Sequence, residues 1–313
     1  MDKQSKIILI SGPTASGKSN FAVKIAKKIN GEIINADSMQ VYKQLKILTA
    51  RPNIREQKKI VHHMYGTVGL DKKFSTGQWL KAAIKKIKEI KKRKKIPILV
   101  GGTGLYFQSL INGLVKIPKI PLKFRNKIRL MQKKVGQKKF YKKLLKIDSM
   151  AKDKFDQNDT QRTIRAFEIK SFTKISMYEW LNKTIPEFRE EEFLKLYISF
   201  KREDLIKRIS LRSAKMMQEG AIKEVKKFIK SKIKKDLSVN RVIGIDELTQ
   251  HLEGKINLDQ VQELITIKTR QYAKRQATWA RSRMTSWEKI NPIKINDYIK
   301  KLKKSSLKLD QLT

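Results

Sequence analysis

The run Gly12-Pro13-Thr14-Ala15-Ser16-Gly17-Lys18-Ser19 fits the pattern G-x-x-x-x-G-K-[ST], a spacing suited to capturing phosphate. Its glycines let successive backbone N–H groups curl around an anion, and a helix starting where the run ends adds its positive pole. In such a loop Lys18 reaches the terminal phosphates and the Ser19 hydroxyl holds Mg²⁺. The pattern specifies a ligand class, phosphate or pyrophosphate. It does not specify a reaction, and nucleotide hydrolysis or phosphoryl transfer is the default until other residues speak.

Two further segments carry usable chemistry. Asn35-Ala36-Asp37-Ser38-Met39-Gln40-Val41-Tyr42 sets a carboxylate just past a short apolar run, and Leu99-Val100-Gly101-Gly102-Thr103-Gly104-Leu105-Tyr106 ends another apolar run in glycines and a hydroxyl. Much other chemistry is excluded. Cysteine is absent, which removes disulfides, Cys-ligated metals and thiol nucleophiles. His62, His63 and His251 are too few and too scattered to build a histidine metal cage.

The elements that must position these residues are legible in the patterning. Ile7–Ile10 reads as a buried parallel strand, Asn20–Ile29 as a helix, Glu32–Ala36 as a second strand, Trp79–Lys94 as a helix and Ile98–Val100 as a third strand. That alternation predicts an α/β domain with a parallel sheet, and it places all three motifs at the carboxyl edge of the strands, where ligands of such sheets bind. Beyond about Ile117, Pro118 and Pro121 break the chain, and about seventy residues follow with helical patterning and no strand candidate. Phe193–Phe200 then reads as a strand again, and helices continue to about Trp287 with turns near Gly220, Gly244 and Gly254. The expected organisation is a first core segment over 1–116, a helical insertion over 117–192, a mostly helical remainder of the core over 193–290, and a weakly structured basic tail over 291–313.

The 313 residues carry 73 Lys+Arg against 29 Asp+Glu, a formal net charge of +44. Such an excess favours a polyanionic partner, because each phosphate neutralised releases counterions. Lysine far outnumbers arginine and accompanies abundant Ile and Asn, so a composition bias across the proteome would produce much of the same excess. No apolar run approaches the roughly 18–20 residues that span a bilayer. Met1–Ser5 is polar and the apolar stretch after it is short, so the sequence reads as a soluble cytoplasmic protein without a signal peptide or membrane partner.

Taken with GPTASGKS, the DSMQVY and LVGGTGLY segments resemble the tRNA dimethylallyltransferases (tRNA isopentenyltransferases). The resemblance continues through Asn158–Glu168 (NDTQRTIRAFE) and Thr269–Arg281 (TRQYAKRQATWAR), five motifs in order over roughly residues 6–285. It implies a P-loop NTPase-like parallel sheet flanked by helices, with an all-helical insertion domain. It also implies transfer of a dimethylallyl group from dimethylallyl diphosphate to the exocyclic amine of the tRNA adenosine 3′ to the anticodon, with Mg²⁺ as cofactor and a monomer acting on one tRNA. The phosphate loop would then hold a leaving diphosphate rather than a nucleotide. Asp37 matches the family's motif acid and is expected to be the general base, since the amine must lose a proton as it attacks. Lys18, Ser19 with Mg²⁺ and the loop N–H groups would stabilise the departing diphosphate. Of the two arginines four apart in Leu205–Arg212, the resemblance points to one at the diphosphate, with Arg208 favoured over Arg212.

The same resemblance assigns RNA contacts to Asp37, Ser38, Met39, Gln40, Thr103 and Arg275, and to Arg125, Gln161, Arg162, Thr163, Ile164 and Arg165 in the insertion. Three segments depart from the family pattern. Leu48-Thr49-Ala50-Arg51-Pro52 stands where GTAKP is usual, Ile243–Glu247 (IGIDE) where IGYKE is common, and Thr278–Arg281 (TWAR) where TWFR is found. Three rivals share some of these features: a phosphate-loop kinase, a non-catalytic RNA-binding protein, and a transferase acting on free adenine nucleotides.

Overall fold

The computed structural model describes residues 6–53, 57, 60–292 and 296–300. Of the tail expected over 291–313, residues 293–295 and 301–313 lie outside these, as do Met1–Ser5. Six parallel strands form the sheet: β1 (Ile7–Ser11), β2 (Gly31–Asn35), β3 (His62–His63), β4 (Ile96–Gly101), β5 (Phe193–Ile198) and β6 (Glu288–Ile290), in the order β3-β2-β4-β1-β5-β6. β1 (IILIS) and β2 (GEIIN) are buried along their whole length. A parallel sheet covered on both faces requires such near-continuous burial, which is why these strands show no alternation.

Helices α1 (Lys18–Lys28), α2 (Thr76–Lys92) and α3 (Gly104–Asn112) follow β1, β3 and β4. α4 (Leu122–Val135), α5 (Gln137–Ile147), α6 (Thr160–Thr173) and α7 (Met177–Asn182) precede β5, and α8 (Arg202–Gln218), α9 (Ala221–Lys230), α10 (Ile245–Leu252) and α11 (Leu258–Arg283) follow it. The chain divides into two compact units, residues 1–109 with 188–313, and Leu110–Glu187. The second unit is helical and has its own core, in which Ile128, Phe140, Leu144, Phe155, Ala166 and Phe167 are buried together.

Several boundaries move relative to the sequence reading, each for a local reason. α1 starts at Lys18 rather than Asn20, because Gly17 adopts φ +83° and turns the phosphate loop directly into the helix. α2 starts at Thr76 because Ser75 and Gln78 form a reciprocal capping box. β3 and β6 are strands of two and three residues, too short to leave a periodic trace.

The register brings the motifs together. Ser11 pairs with Gly101 and Asn35 with Val100, so β1, β4 and β2 end level. The chain then crosses from β2 over the end of β4. The Ala36 N–H donates to the Val100 carbonyl at 2.8 Å, and the Thr103 N–H donates to the Ala36 carbonyl at 3.3 Å. A Cβ on Gly101 would collide with the Ala36 backbone, so only glycine allows this crossing. Gly101→Ala should therefore destabilise the fold by about 2–3 kcal/mol, the range of overpacking in a rigid interior, read as a lowered midpoint in urea denaturation.

Candidate active site

The phosphate loop closes on itself through Ser16 N–H to the Pro13 carbonyl at 3.2 Å, with Ala15 at φ 62° and Gly17 at φ +83°. The Lys18 ammonium folds back to the Pro13 carbonyl at 3.2 Å. The Ser16 hydroxyl is buried, and among the described residues it has no hydrogen-bond partner. Two arginines reach this loop from α8. Arg208 Nε donates to the Ala15 carbonyl at 2.8 Å and stacks on Phe200, while Arg212 Nη1 donates to Thr14 Oγ1 at 2.9 Å. Arg208, the arginine favoured from the sequence, is thus at the loop, and Arg212 stands there beside it. Both touch the loop, and Arg212 is the less exposed of the two and the one coupled electrostatically to Lys18 and Asp37.

Asp37 is fixed from both sides. The buried Asn35 amide accepts from the Asp37 N–H at 2.8 Å and donates to the Asp37 carbonyl at 3.0 Å. Asp37 Oδ1 in turn accepts the Met39 N–H at 2.9 Å. Beneath them the buried Trp79 indole donates to the Asn35 carbonyl at 2.8 Å and stacks on Tyr106 with ring centroids 4.2 Å apart. Thr103 Oγ1 accepts the Ser38 N–H at 3.0 Å. Gln40 spends its amide nitrogen on the Thr49 and Ala50 carbonyls.

A cavity of about 540 Å³ opens between the loop and these residues. Lys18, Ser19, Asp37, Arg208, Arg212 and Arg275 form its polar side, and Met39, Leu48, Met216, Val242, Ile243 and Ile265 form an apolar wall. A second hollow lies over Thr103, Gly104, Tyr197, Gln276 and Trp279. Ser38, Tyr272 and Arg275 line both hollows. One side chain of α11 also spans the two motifs. Gln276 Oε1 accepts the Thr14 N–H at 2.8 Å and its Nε2 donates to the Gly102 carbonyl at 3.0 Å.

Cations dominate the field. Desolvation pulls the Lys18 pKa down from 10.5 to about 8, with Asp37 opposing and Arg212 adding to the shift. Burial first, and then the nearby Asp37 carboxylate, push Tyr65, Tyr106 and Tyr272 up, so these phenols remain neutral. Among the described residues no cluster of three or more His, Asp or Glu could cage a metal. The oxygens available are the Ser19 hydroxyl and the Asp37 carboxylate, a hard set that suits Mg²⁺ held mainly through a bound diphosphate.

The structure thus gathers residues 12–19, Asp37–Gln40, Thr103, Arg208 and Arg275 in one place. Arg125 and Gln161–Arg165 belong to the helical unit. There Gln161 and Arg162 are exposed, Arg125 and Arg165 half-buried, and Ile164 packs on the unit's core. The Thr163 side chain faces inward within that segment. It is fully buried, its hydroxyl donating to the Asp159 carbonyl and accepting from Gln137, so it ties the start of the helix to its neighbour.

Several lining residues were not assigned to the site from sequence, among them Arg241, Met216, Val242, Ile265 and Gln276. Arg241, at the end of a single 3₁₀ turn, reaches the first cavity. Its segment is held by the buried Glu247, which accepts the Gly244 N–H at 2.8 Å and pairs with Lys268. Leu48 belongs to the apolar wall and packs over Gly244, and it shares one buried cluster with Ile245.

With the geometry established, comparison with known proteins decides the family. The family model described as IPP transferase matches residues 40–283. The chain belongs to the IPP transferase family. It is 76% identical to the tRNA dimethylallyltransferase of Pelagibacter ubique (strain HTCC1062) over the whole of both chains. It is 41% identical to the tRNA dimethylallyltransferase of Rickettsia massiliae (strain Mtu5), covering 90% of this chain and 78% of the relative. Among solved structures, the tRNA delta(2)-isopentenylpyrophosphate transferase of Staphylococcus epidermidis superimposes with a TM-score of 0.68 at 32% identity, covering 96% of this chain and 99% of that one. A eukaryotic dimethylallyltransferase acting on tRNA gives a TM-score of 0.80 at 30% identity, covering 92% and 74%. The parallel sheet with flanking helices is the fold this IPP transferase shares with them.

Because burial brings the Lys18 pKa to about 8, the ammonium is lost as pH rises above that value, and anion affinity should fall with it. Calorimetric titration with pyrophosphate from about pH 6.5 to about pH 9 should show parent affinity weakening relative to Lys18→Arg at the alkaline end. Parallel curves for the two proteins would remove Lys18 from diphosphate binding.

Proposed function

We propose that this IPP transferase moves a dimethylallyl group from dimethylallyl diphosphate to the exocyclic amine of the adenosine 3′ to the tRNA anticodon, releasing diphosphate. The reading rests on one observation above all: Asp37 stands beside both a cationic phosphate loop and an apolar wall, in a cavity that shares Ser38, Tyr272 and Arg275 with a second hollow. The names of the relatives support it. The diphosphate fits the loop, with Lys18, Arg208 and Arg212 around its oxygens, and the five-carbon group fits against Leu48, Met216, Val242 and Ile265. The adenine enters past Thr103 and Ser38, with Gln276 and Trp279 beside it.

In the reaction the amine nitrogen bonds to the allylic carbon as the carbon–oxygen bond to diphosphate breaks. The proton released from the amine goes to Asp37, and the electron pair of the broken bond leaves on the diphosphate. An adenine amine is a weak nucleophile, since its lone pair is delocalised into the ring, so a positioned carboxylate is of value. Charge developing on the leaving group meets Lys18, Arg212 and the loop N–H groups already in place. Mg²⁺, held by the Ser19 hydroxyl, would add further stabilisation of the diphosphate charge.

The remaining assignments belong to the same proposal. The helical insertion (117–192) reads the anticodon stem-loop, through Arg125, Gln161, Arg162 and Arg165, and the protein acts as a cytoplasmic monomer on one tRNA. Among the described residues no helix is long and apolar enough to cross a membrane.

The test is incorporation of radiolabelled dimethylallyl diphosphate into unmodified tRNA with Mg²⁺, beside an ATPase assay. Label in tRNA that depends on the adenosine next to the anticodon is expected. ATP turnover without label would replace the reading with a kinase or hydrolase. Asp37→Asn keeps an oxygen for the Met39 N–H, so it should lower kcat about 10²–10⁴-fold while leaving tRNA affinity near the parent's; an unchanged rate removes Asp37 as the base.

A further inference from the structure

Glu168 lies in α6 of the helical unit with its side chain 1% exposed, yet three arginines converge on it. Arg125 Nε lies 3.0 Å and Arg165 Nη1 3.3 Å from Oε2, and Arg129 Nε lies 3.6 Å from Oε1. The three arginine side chains are themselves 35%, 40% and 45% exposed, in the order Arg125, Arg165, Arg129. One guanidinium would neutralise the carboxylate. The second and third add like-charge repulsion without any further acid nearby on their own elements, since α4 has no acidic residue and Glu168 is the one acid of α6. Folding stability alone gives no reason for that surplus, whereas an anion arriving from solvent does. Each guanidinium carries five N–H donors, and the carboxylate faces a single nitrogen of each: Nε of Arg125 and Arg129, and Nη1 of Arg165.

We infer that Glu168 is a positioning residue that gathers Arg125, Arg129 and Arg165 into a cradle for a phosphodiester of the RNA backbone, and that Arg129 is a direct RNA contact beside the other two. The inference rests on the reading of this protein as a tRNA-modifying enzyme. Arg129 is four residues from Arg125 and hence on the same face of α4, and Glu168 brings Arg165 to that face from α6. Buried below the arginines, the carboxylate holds their stems while their outer edges stay half-open to a ligand. Preorganised guanidiniums lose less side-chain entropy when the phosphate arrives than free ones would.

The sign of one substitution separates this from simple charge attraction. Glu168→Gln makes the protein one unit more positive, so attraction alone predicts tighter RNA binding. Loss of positioning predicts weaker binding. The full-length protein is titrated with anticodon stem-loop RNA over a salt series, with kcat and both KM values measured in parallel on tRNA.

Glu168→Gln is expected to raise the RNA Kd and the KM for tRNA about tenfold, with kcat and the KM for dimethylallyl diphosphate unchanged. Arg129→Gln leaves Glu168 its two nearer partners, so it serves even if Glu168→Gln unfolds. It should weaken RNA binding and reduce the salt slope by about one. Tighter binding by a folded Glu168→Gln, or an Arg129→Gln protein with the parent's Kd and salt slope, overturns the inference while leaving the transferase reading intact. A parent protein that neither binds the stem-loop nor labels tRNA overturns both.

Discussion

The backbone hydrogen bond from Ala36 to Val100, 2.8 Å long, is the contact on which the site depends. It continues the β2–β4 ladder one residue past the end of β2 and so carries the chain across the carboxyl end of β4. The Thr103 N–H then binds the Ala36 carbonyl, and Asp37 and Thr103 are locked to one another through backbone alone. Asn35 and Trp79 add side-chain bonds beneath this crossing. The acid that lines the cavity and the hydroxyl that lines the second hollow therefore each stand two residues past a buried strand end, held to the sheet by backbone bonds.

Charge is managed differently in the two compact units. In the α/β unit several cations share a cavity with one carboxylate, and their mutual repulsion and desolvation register on Lys18. Such a pocket stores unfavourable energy that an anion would relieve on binding, which favours anionic over neutral ligands. In the helical unit the surplus is held by the buried Glu168 and stays near solvent. The first arrangement suits a small ligand that is enclosed, and the second suits a polymer that remains outside.

What was legible in the sequence was whatever is local. The phosphate loop, the Asp37 turn and the Gly101–Gly104 turn each join a short apolar run to the next segment, so motif and flanking element fall inside one window of residues. Short range also bounds what could be read. That Arg212 reaches the loop beside Arg208 follows from where α8 meets it, and Arg241 stands in a single turn without periodicity. The pairing of Arg129 with the buried Glu168 is invisible in a helix dense with cations. Thr163 occupies a motif position, yet its face of α6 turns inward, which only the packing of the helical unit decides. The edge strand β6 is three residues long and owes its conformation to β5 beside it.

Gln276 has a wider consequence. Its amide is bonded at once to the phosphate loop and to the glycine turn after β4, and it lines the second hollow. Thr14 lines the first hollow and Gln276 the second, so one planar amide joins the walls of both. Were a ligand in one hollow to displace that amide, the effect on the other would be reciprocal: the factor by which one ligand alters the other's dissociation constant is the same in either order of addition.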